Sequence, residues 1–400
     1  MVNSPFGPAL WEASPELKEK SRSLPVRINS MDIPGSKDGD PEENLDPSER
    51  MNQEVKNRYV KEKKPIGEGT YAVVYKGHVK ADPSRLVAFK KIKVMTEYKD
   101  GISVSAIREI KFLQELSHPN IIALYDVFSS KSQNLNLVLE FLPLGDLEML
   151  IKDVDGVRYG TADIKMWMCM LGRAVWFCHE NFVLHRDIKP NNLLIAADGE
   201  VKLADFGLAR SFSDPYRPMT HQVITRWYRP PELLYGARFY SGAVDIWSMG
   251  LVFAELVIRT PFIAGNSDMH QIELICQAIG TPTEDNWPGV TKLPDYVKGE
   301  TVQPVRGKDF YMQTFGTIGP VGVDLLMSTM TLNPFKRCTA TKFLEHNWWH
   351  IDPRPSNKED LPKKAGGPKK MGEDLKRRGG ELEDRGLDKV ARKLDFSVMR

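Results

Sequence analysis

The stretch from His185 to Gly207, HRDIKPNNLLIAADGEVKLADFG, constrains this chain more than any other. It reads as two short polar loops tied together by strand-like turns. Asp187 is a candidate for orienting a hydroxyl nucleophile and accepting its proton. Lys189, two residues on, can set a positive charge beside a transferring phosphoryl group. Asn192 and Asp205 carry oxygen ligands of the hard type that Mg²⁺ requires. In Asp205-Phe206-Gly207 the glycine permits a sharp turn and the phenylalanine can anchor it in a core.

His185, Arg186, Asp187, Lys189, Pro190, Asn192, Asp205, Phe206 and Gly207 together resemble the catalytic and metal-binding loops of protein kinases, and nine fixed types at this spacing make a chance match remote. The resemblance implies an α+β fold of two lobes. One is a small antiparallel sheet with a single helix, and the other is larger and mainly helical. ATP and Mg²⁺ are the implied cofactors.

A chain of 400 residues with 41% hydrophobic content can bury a core large enough to divide in two. The segment 57–142 is expected to form the first lobe with its hinge, and 143–350 the second. Residues 1–56 carry 7 basic against 11 acidic side chains, and residues 351–400 carry 14 against 10. Both ends are rich in Pro, Gly, Ser and charge, so they are expected to be disordered tails, one acidic and one basic. The clusters Lys363-Lys364, Lys369-Lys370 and Lys376-Arg378 can serve nuclear import, contact an acidic partner, or simply solvate the tail. Cys169, Cys178, Cys276 and Cys338 lie among apolar neighbours without a Cys-x-x-Cys pair, which favours buried thiols over disulfides or zinc. No apolar run approaches the roughly 18 residues that span a bilayer. Neither membrane association nor direct nucleic-acid binding is expected.

Strand-like segments at 59–63, 73–79, 86–92 and 135–141 predict an antiparallel sheet. The first hairpin holds Ile66-Gly67-Glu68-Gly69-Thr70-Tyr71-Ala72-Val73-Val74, whose glycines let backbone approach phosphate oxygens. Ala72 stands where the kinase pattern has a third glycine. Lys90, in Val87-Ala88-Phe89-Lys90, is the candidate α/β-phosphate ligand, and Ala88 with Leu194 would sandwich the adenine. Backbone groups of Glu140 and Leu142 are expected to bond the adenine edge. Leu139 would guard the back of that pocket, and Pro143 to Gly145 suggests a lengthened hinge.

Apolar residues at 106, 107, 110 and 113 repeat at helical spacing, with Ser103 or Ser105 near the helix start. Glu109 on it is placed to pair with Lys90 when the helix docks inward. Gly101 to Glu109, ending Ala-Ile-Arg-Glu, resembles the cyclin-binding helix of cyclin-dependent kinases. Asn181 to Leu184, Asn191-Asn192, Gly280 to Thr283 and Trp287-Pro288 resemble, within that family, the kinase subunits of general transcription factor IIH, also known as cyclin-dependent-kinase-activating kinases.

Several expectations follow from that resemblance. The chain is implied to be a nuclear serine/threonine kinase partnered by a cyclin, an assembly subunit and the transcription factor IIH core. Its substrates would be the RNA polymerase II C-terminal repeat and activation loops of other kinases. Arg108, Arg186 and Arg210 match a clamp for a phosphate on Thr220. Val223, Ile224 and Arg229 match the surface that accepts a proline after the target residue, and Thr225 is placed to bond Asp187 and Lys189. Asp214-Pro215 stands where relatives carry a phosphorylatable Ser, and is either a permanent negative charge or a plain turn. Glu232 is expected to pair with Arg337, and Asp245 to hold the catalytic loop by hydrogen bonds. His346 and His350 stand four apart, a metal-ligand spacing, but beside Trp348-Trp349 packing is the expected role. The rivals are an ordinary cell-cycle kinase and a non-catalytic scaffold. The four intact polar residues Lys90, Asp187, Asn192 and Asp205 speak against the latter.

Overall fold

The computed structural model describes residues 47–69, 72–93, 104–130, 135–214, 216–297 and 302–363. Thr70, Tyr71, Ser103, Pro215 and most of both expected tails lie outside the described residues. The chain divides into two compact units, one ending at Ile102 and resuming over Ala123–Phe141, the other comprising Ser103–Ile122 and the chain from Leu142 on.

The first unit is a five-stranded antiparallel sheet in the order β1-β2-β3-β5-β4. Its strands are β1 (Tyr59–Glu68), β2 (Ala72–Val79), β3 (Asp82–Ile92), β4 (Leu124–Ser129) and β5 (Leu135–Glu140). β4 is absent from the sequence expectation because the apolar residues of Leu-Tyr-Asp-Val-Phe-Ser do not alternate strictly with polar ones. Val87, Phe89, Phe128 and Val138 form the core, with Phe89 edge-on to both Tyr59 and Phe128. Each buried aromatic or branched side chain contributes about 1.5–3 kcal/mol. Gly77 is needed here, because a Cβ on it would stand 2.4 Å from the Phe89 ring.

The acidic tail ends earlier than expected. Residues Pro47–Asn57 form helix α1, not disordered chain. Val55 packs on the sheet core, and the Asn52 side chain accepts from Ser129 N–H at 3.0 Å on β4. An amphipathic turn so rich in charge reads as tail, yet one apolar side chain and one amide hold it to the sheet.

The second unit is mainly helical. It holds α2 (Val104–Glu115), α3 (Leu147–Lys152), α4 (Thr161–Glu180), α5 (Pro231–Leu234), α6 (Ala243–Ile258), α7 (Asp268–Ala278), α8 (Lys308–Phe315), α9 (Gly319–Thr329) and α10 (Ala340–Leu344). α6 is buried almost all round, as a sequence that is apolar apart from Asp245, Ser248 and Glu255 requires. Two short ladders, β6 (Val183–Leu184) with β9 (Arg210–Ser211) and β7 (Leu193–Ile195) with β8 (Val201–Leu203), present the functional loops.

Three expectations change here. α2, placed in the first lobe by sequence order, belongs to the second compact unit. Ser105 is near the helix start, as expected, and lies against the Asp-Phe-Gly turn, where a Cβ on Gly207 would come within 2.4 Å of Ser105 Oγ. Ile107, counted in the apolar stripe, is 51% exposed, and so is Val104 at 60%. The segment 143–145 is no hinge extension: Leu144 N–H donates to Ile195 and Ile195 N–H donates to Gly145, so it lies along β7.

The folded chain also runs past residue 350. Lys165 on α4 is buried and donates to the carbonyls of Trp348 and Ile351, at 2.6 and 2.8 Å. Further on, Lys358 pairs with Asp198 at 2.6 Å and Leu361 is buried. His346 caps its own turn, its Nδ1 accepting from Trp348 N–H at 3.2 Å. All four cysteines are free thiols, and burial raises the pKa of each. Among the described residues no helix is long and apolar enough to cross a membrane.

Candidate active site

The catalytic-loop residues converge as the sequence predicts, and Asp245 is what holds them. Its buried carboxylate accepts from His185 N–H at 3.0 Å, Arg186 N–H at 2.9 Å and His179 Nε2 at 3.0 Å. Burial alone would raise its pKa. The hydrogen bond and charge of His179, the charge of His185 and the Arg186 N–H outweigh it and hold the group below the ordinary carboxylate range. These bonds also secure Arg186 in the left-handed region at φ 62°, a conformation costly for a side chain of its size.

Asp187 lies one residue further, nearly buried. Its Oδ1 accepts from the Thr225 hydroxyl at 2.9 Å and, at a long 3.3 Å, from Thr225 N–H. Its Oδ2 takes Lys189 Nζ at 2.7 Å and Asn192 Nδ2 at 3.1 Å. Lys189 also donates to Thr225 Oγ1 at 2.9 Å, closing a ring of three side chains. An ammonium has three donors, so Lys189 keeps one. Asn192 spends both amide hydrogens on Asp187, the second on its carbonyl at 2.8 Å. Its Oδ1 is thereby fixed as an outward acceptor.

Asp205 begins the second polar loop at φ 64°, again left-handed. Phe206 is fully buried and edge-on to His185 at 4.7 Å, and His185 Nε2 lies 3.1 Å from the Ala204 carbonyl. His185 therefore joins the two loops. Burial lowers its pKa. Asn192 and Asp205 are oxygen donors only, a set that suits Mg²⁺, which completes its shell with water and phosphate oxygens. Leu142 is buried and Leu194, on β7, half-buried in the same unit.

In the sheet unit, Gly67 pairs with Val74 and Glu68 with Val73, while Gly69 N–H donates to Ala72 at 2.9 Å across the hairpin tip. A Cβ on Gly69 would meet nothing nearer than the Ala72 carbonyl at 3.9 Å, so packing does not explain that glycine. Ile66 lies in β1, Lys90 pairs with Val74 on one side and Leu137 on the other, and Ala88 pairs with Leu139. Glu140 ends β5. Glu109 is buried on α2 in the other unit.

In the activation segment, Ile224 adopts φ 70°, a left-handed conformation rare for a β-branched residue. Arg229 accounts for it, donating to the carbonyls of Val223 at 3.0 Å and Ile224 at 3.1 Å. At the segment's end, Glu232 and Arg337 form a two-pronged buried pair at 2.5 and 2.6 Å, as expected. Pro230 and Pro231 open α5, where a proline at the first helical position fits without loss. Asp214 accepts from Tyr216 N–H at 3.0 Å, so this residue builds a turn.

Arg186 donates to the Leu208 carbonyl at 2.8 Å and to Tyr240 Oη at 2.9 Å, and Tyr240 in turn donates to the Thr220 carbonyl at 2.7 Å. Tyr240 is a link the sequence could not reveal, since Arg-Phe-Tyr-Ser-Gly carries no motif. Burial and neighbouring cations, Arg186 above all, lower the pKa of both Arg108 and Arg210, so the three arginines stand together.

A two-unit α+β chain with this ring of Asp, Lys and Thr has the architecture and site of a protein kinase, and the family model for the protein kinase domain matches residues 60–349. Serine/threonine-protein kinase crk1 of Schizosaccharomyces pombe is 50% identical over 80% of this chain and 93% of its own. KIN28 of Saccharomyces cerevisiae is 48% identical over 77% and 98%, and Cyclin-dependent kinase 7 of Xenopus laevis 47% identical over 74% and 83%. Among solved structures, a chain of the CAK complex of Chaetomium thermophilum bound to ATP-γ-S is 67% identical, with TM-score 0.78, covering 80% of this chain and 99% of that one. The chain belongs to the protein kinase family, among the cyclin-dependent serine/threonine kinases of the Cyclin-dependent kinase 7 and KIN28 kind.

Proposed function

We propose that this kinase transfers the ATP γ-phosphoryl group to Ser or Thr hydroxyls preceding proline, with the RNA polymerase II C-terminal repeat as substrate. In this reading it works in the nucleus, as the kinase subunit of general transcription factor IIH, with a cyclin and an assembly subunit. It also acts on activation loops of other cyclin-dependent kinases. The observation that carries the chemistry is the ring of Asp187, Lys189 and Thr225, closed by three contacts of 2.7 to 2.9 Å.

Within that ring Asp187 Oδ1 keeps a lone pair, because its bond from Thr225 N–H is long. It orients the incoming hydroxyl and takes its proton. Lys189 turns its third donor to the transferring phosphoryl oxygens. Asn192 Oδ1 and Asp205 would hold Mg²⁺, which would supply positive charge to the phosphates. In the sheet unit Lys90 and the backbone of Gly67, Glu68, Gly69 and Ala72 serve the nucleotide phosphates. Ile66, Val74, Ala88 and Glu140 of the same unit serve the base and ribose.

Preference for proline follows from Arg229. It occupies the carbonyls of Val223 and Ile224, so a residue seated there finds no acceptor for its N–H, and proline has none to satisfy. The exposed Val104 and Ile107 on α2 are an apolar face suited to a cyclin. A phosphate on Thr220, held by Arg108, Arg186 and Arg210, orders the segment. The test is an Asp187→Asn variant, assayed for transfer to a proline-directed peptide and for ATP binding. Lost transfer with retained binding supports the roles given, and retained transfer contradicts them.

A further inference from the structure

The cationic cluster beside the activation segment is larger than one phosphate needs. A cavity of about 240 Å³ in the helical unit is lined by Arg108 and Lys111 of α2 and by Arg210, Ser211 and Arg217 of the segment. With Arg186, which raises the electrostatic cost of charging both Arg108 and Arg210, five cations are gathered there. Among the described residues none of the four lining cations is paired with a carboxylate, and no carboxylate lines the cavity. A phosphothreonine brings about −1.5 to −2 charges at neutral pH, which leaves roughly three positive charges uncompensated.

Lys111 and Arg217 lie outside the three-arginine clamp expected for Thr220. Arg210 already spends one donor on the Pro218 carbonyl, at 3.0 Å. Ser211 is the one hydroxyl on the cavity wall. Its backbone is held in β9 opposite Val183, and its side chain is exposed, with Oγ 3.0 Å from Ser213 Oγ. Asp214, three residues on, turns its carboxylate to Tyr216 N–H and so does not serve as the cavity's anion.

We propose that Ser211 is a second phosphorylation site of the activation segment, whose phosphate occupies this cavity against Lys111, Arg217 and Arg108. The modifying enzyme is another ATP-dependent kinase. Ser211 Oγ forms the new ester bond to the γ-phosphorus as the bond from that phosphorus to the β,γ-bridging oxygen breaks. The hydroxyl proton passes to that enzyme's base and ADP leaves. The phosphate ties β9 to α2, adding a contact between activation segment and helix that does not depend on Thr220.

The test installs phosphoserine at 211 of the full chain by site-specific incorporation and follows its ³¹P resonance with pH. The second ionisation of a free phosphoserine lies near ~6, and cations within contact distance should bring it to about 5 or below. Lys111→Ala with Arg217→Ala should return it toward ~6, with the fold checked by circular dichroism. Tandem mass spectrometry of the protein from its native cells should find phosphate on Ser211. A phosphoserine that titrates as in a free peptide, a titration unmoved by the double variant, or an unmodified Ser211 in the native protein would each overturn the proposal. These readouts do not use kinase activity, so their failure is separate from failure of the proposed function.

Discussion

Asp245→Asn tests the frame of the site, and its cost can be worked from geometry. In the native carboxylate, Oδ2 serves His185 N–H and His179 while Oδ1 serves Arg186 N–H. The amide has one acceptor. In its better orientation the oxygen keeps the first two partners and the NH₂ faces the Arg186 N–H, a donor against a donor. A lost charge-assisted bond is worth about 1.5–3 kcal/mol and an orphaned buried N–H about 1–3 kcal/mol more. The variant should therefore lose roughly 3–5 kcal/mol, a fall in Tm on the order of 6–10 °C by differential scanning calorimetry at pH 7. The carboxyl pKa is depressed in the folded protein, so its stabilisation is present above the ordinary carboxylate value of about 3.9 and is lost as pH falls through the folded pKa. The gap between native and variant Tm should thus hold from about pH 5 to 8 and narrow below about pH 4. kcat should fall with it, because Arg186 relaxes from its left-handed conformation and Asp187 moves. An unchanged Tm and kcat would refute this account of the loop.

Three further outcomes follow. Thr225→Val removes the hydroxyl that joins Asp187 to Lys189 and should lower kcat about tenfold with KM for ATP little changed, while Thr225→Ser should retain activity in steady-state assays. Arg337→Ala strands buried Glu232 and should cost about 3–5 kcal/mol in denaturant unfolding, whereas pairing Arg337→Met with Glu232→Leu should recover most of it. Burial pushes the Glu255 pKa up to about 7 despite its bond from Tyr228 Oη at 2.6 Å, so its contribution is fully present below the ordinary carboxylate range and is lost as pH rises through 7. Glu255→Gln should flatten the decline in Tm between about pH 5 and 8, and an unaltered slope would refute the assignment.

The sequence made the catalytic ring legible because its members lie close together or in a fixed motif. Asp187, Lys189 and Asn192 fall in one loop, and Thr225 falls at a set distance before a recognisable end of the activation segment. What it hid was packing between distant segments. Val55 and Asn52 hold α1 to the sheet through single contacts no periodicity announces. Lys165 looks like a surface lysine until two carbonyls from beyond residue 347 are seen to receive it. Ile107 fits a helical stripe by spacing, yet a stripe does not say which of two apolar faces is buried. Tyr240 joins the activation segment through space alone.

The central claim is tested most directly by phosphate transfer to a Tyr-Ser-Pro-Thr-Ser-Pro-Ser repeat peptide, measured with and without the cyclin that co-purifies, alongside a peptide from another kinase's activation loop. The account predicts transfer to the repeat that depends on the cyclin, and transfer to the second peptide as well. A preparation that binds ATP and carries phosphate on Thr220, yet transfers to neither peptide, would contradict it.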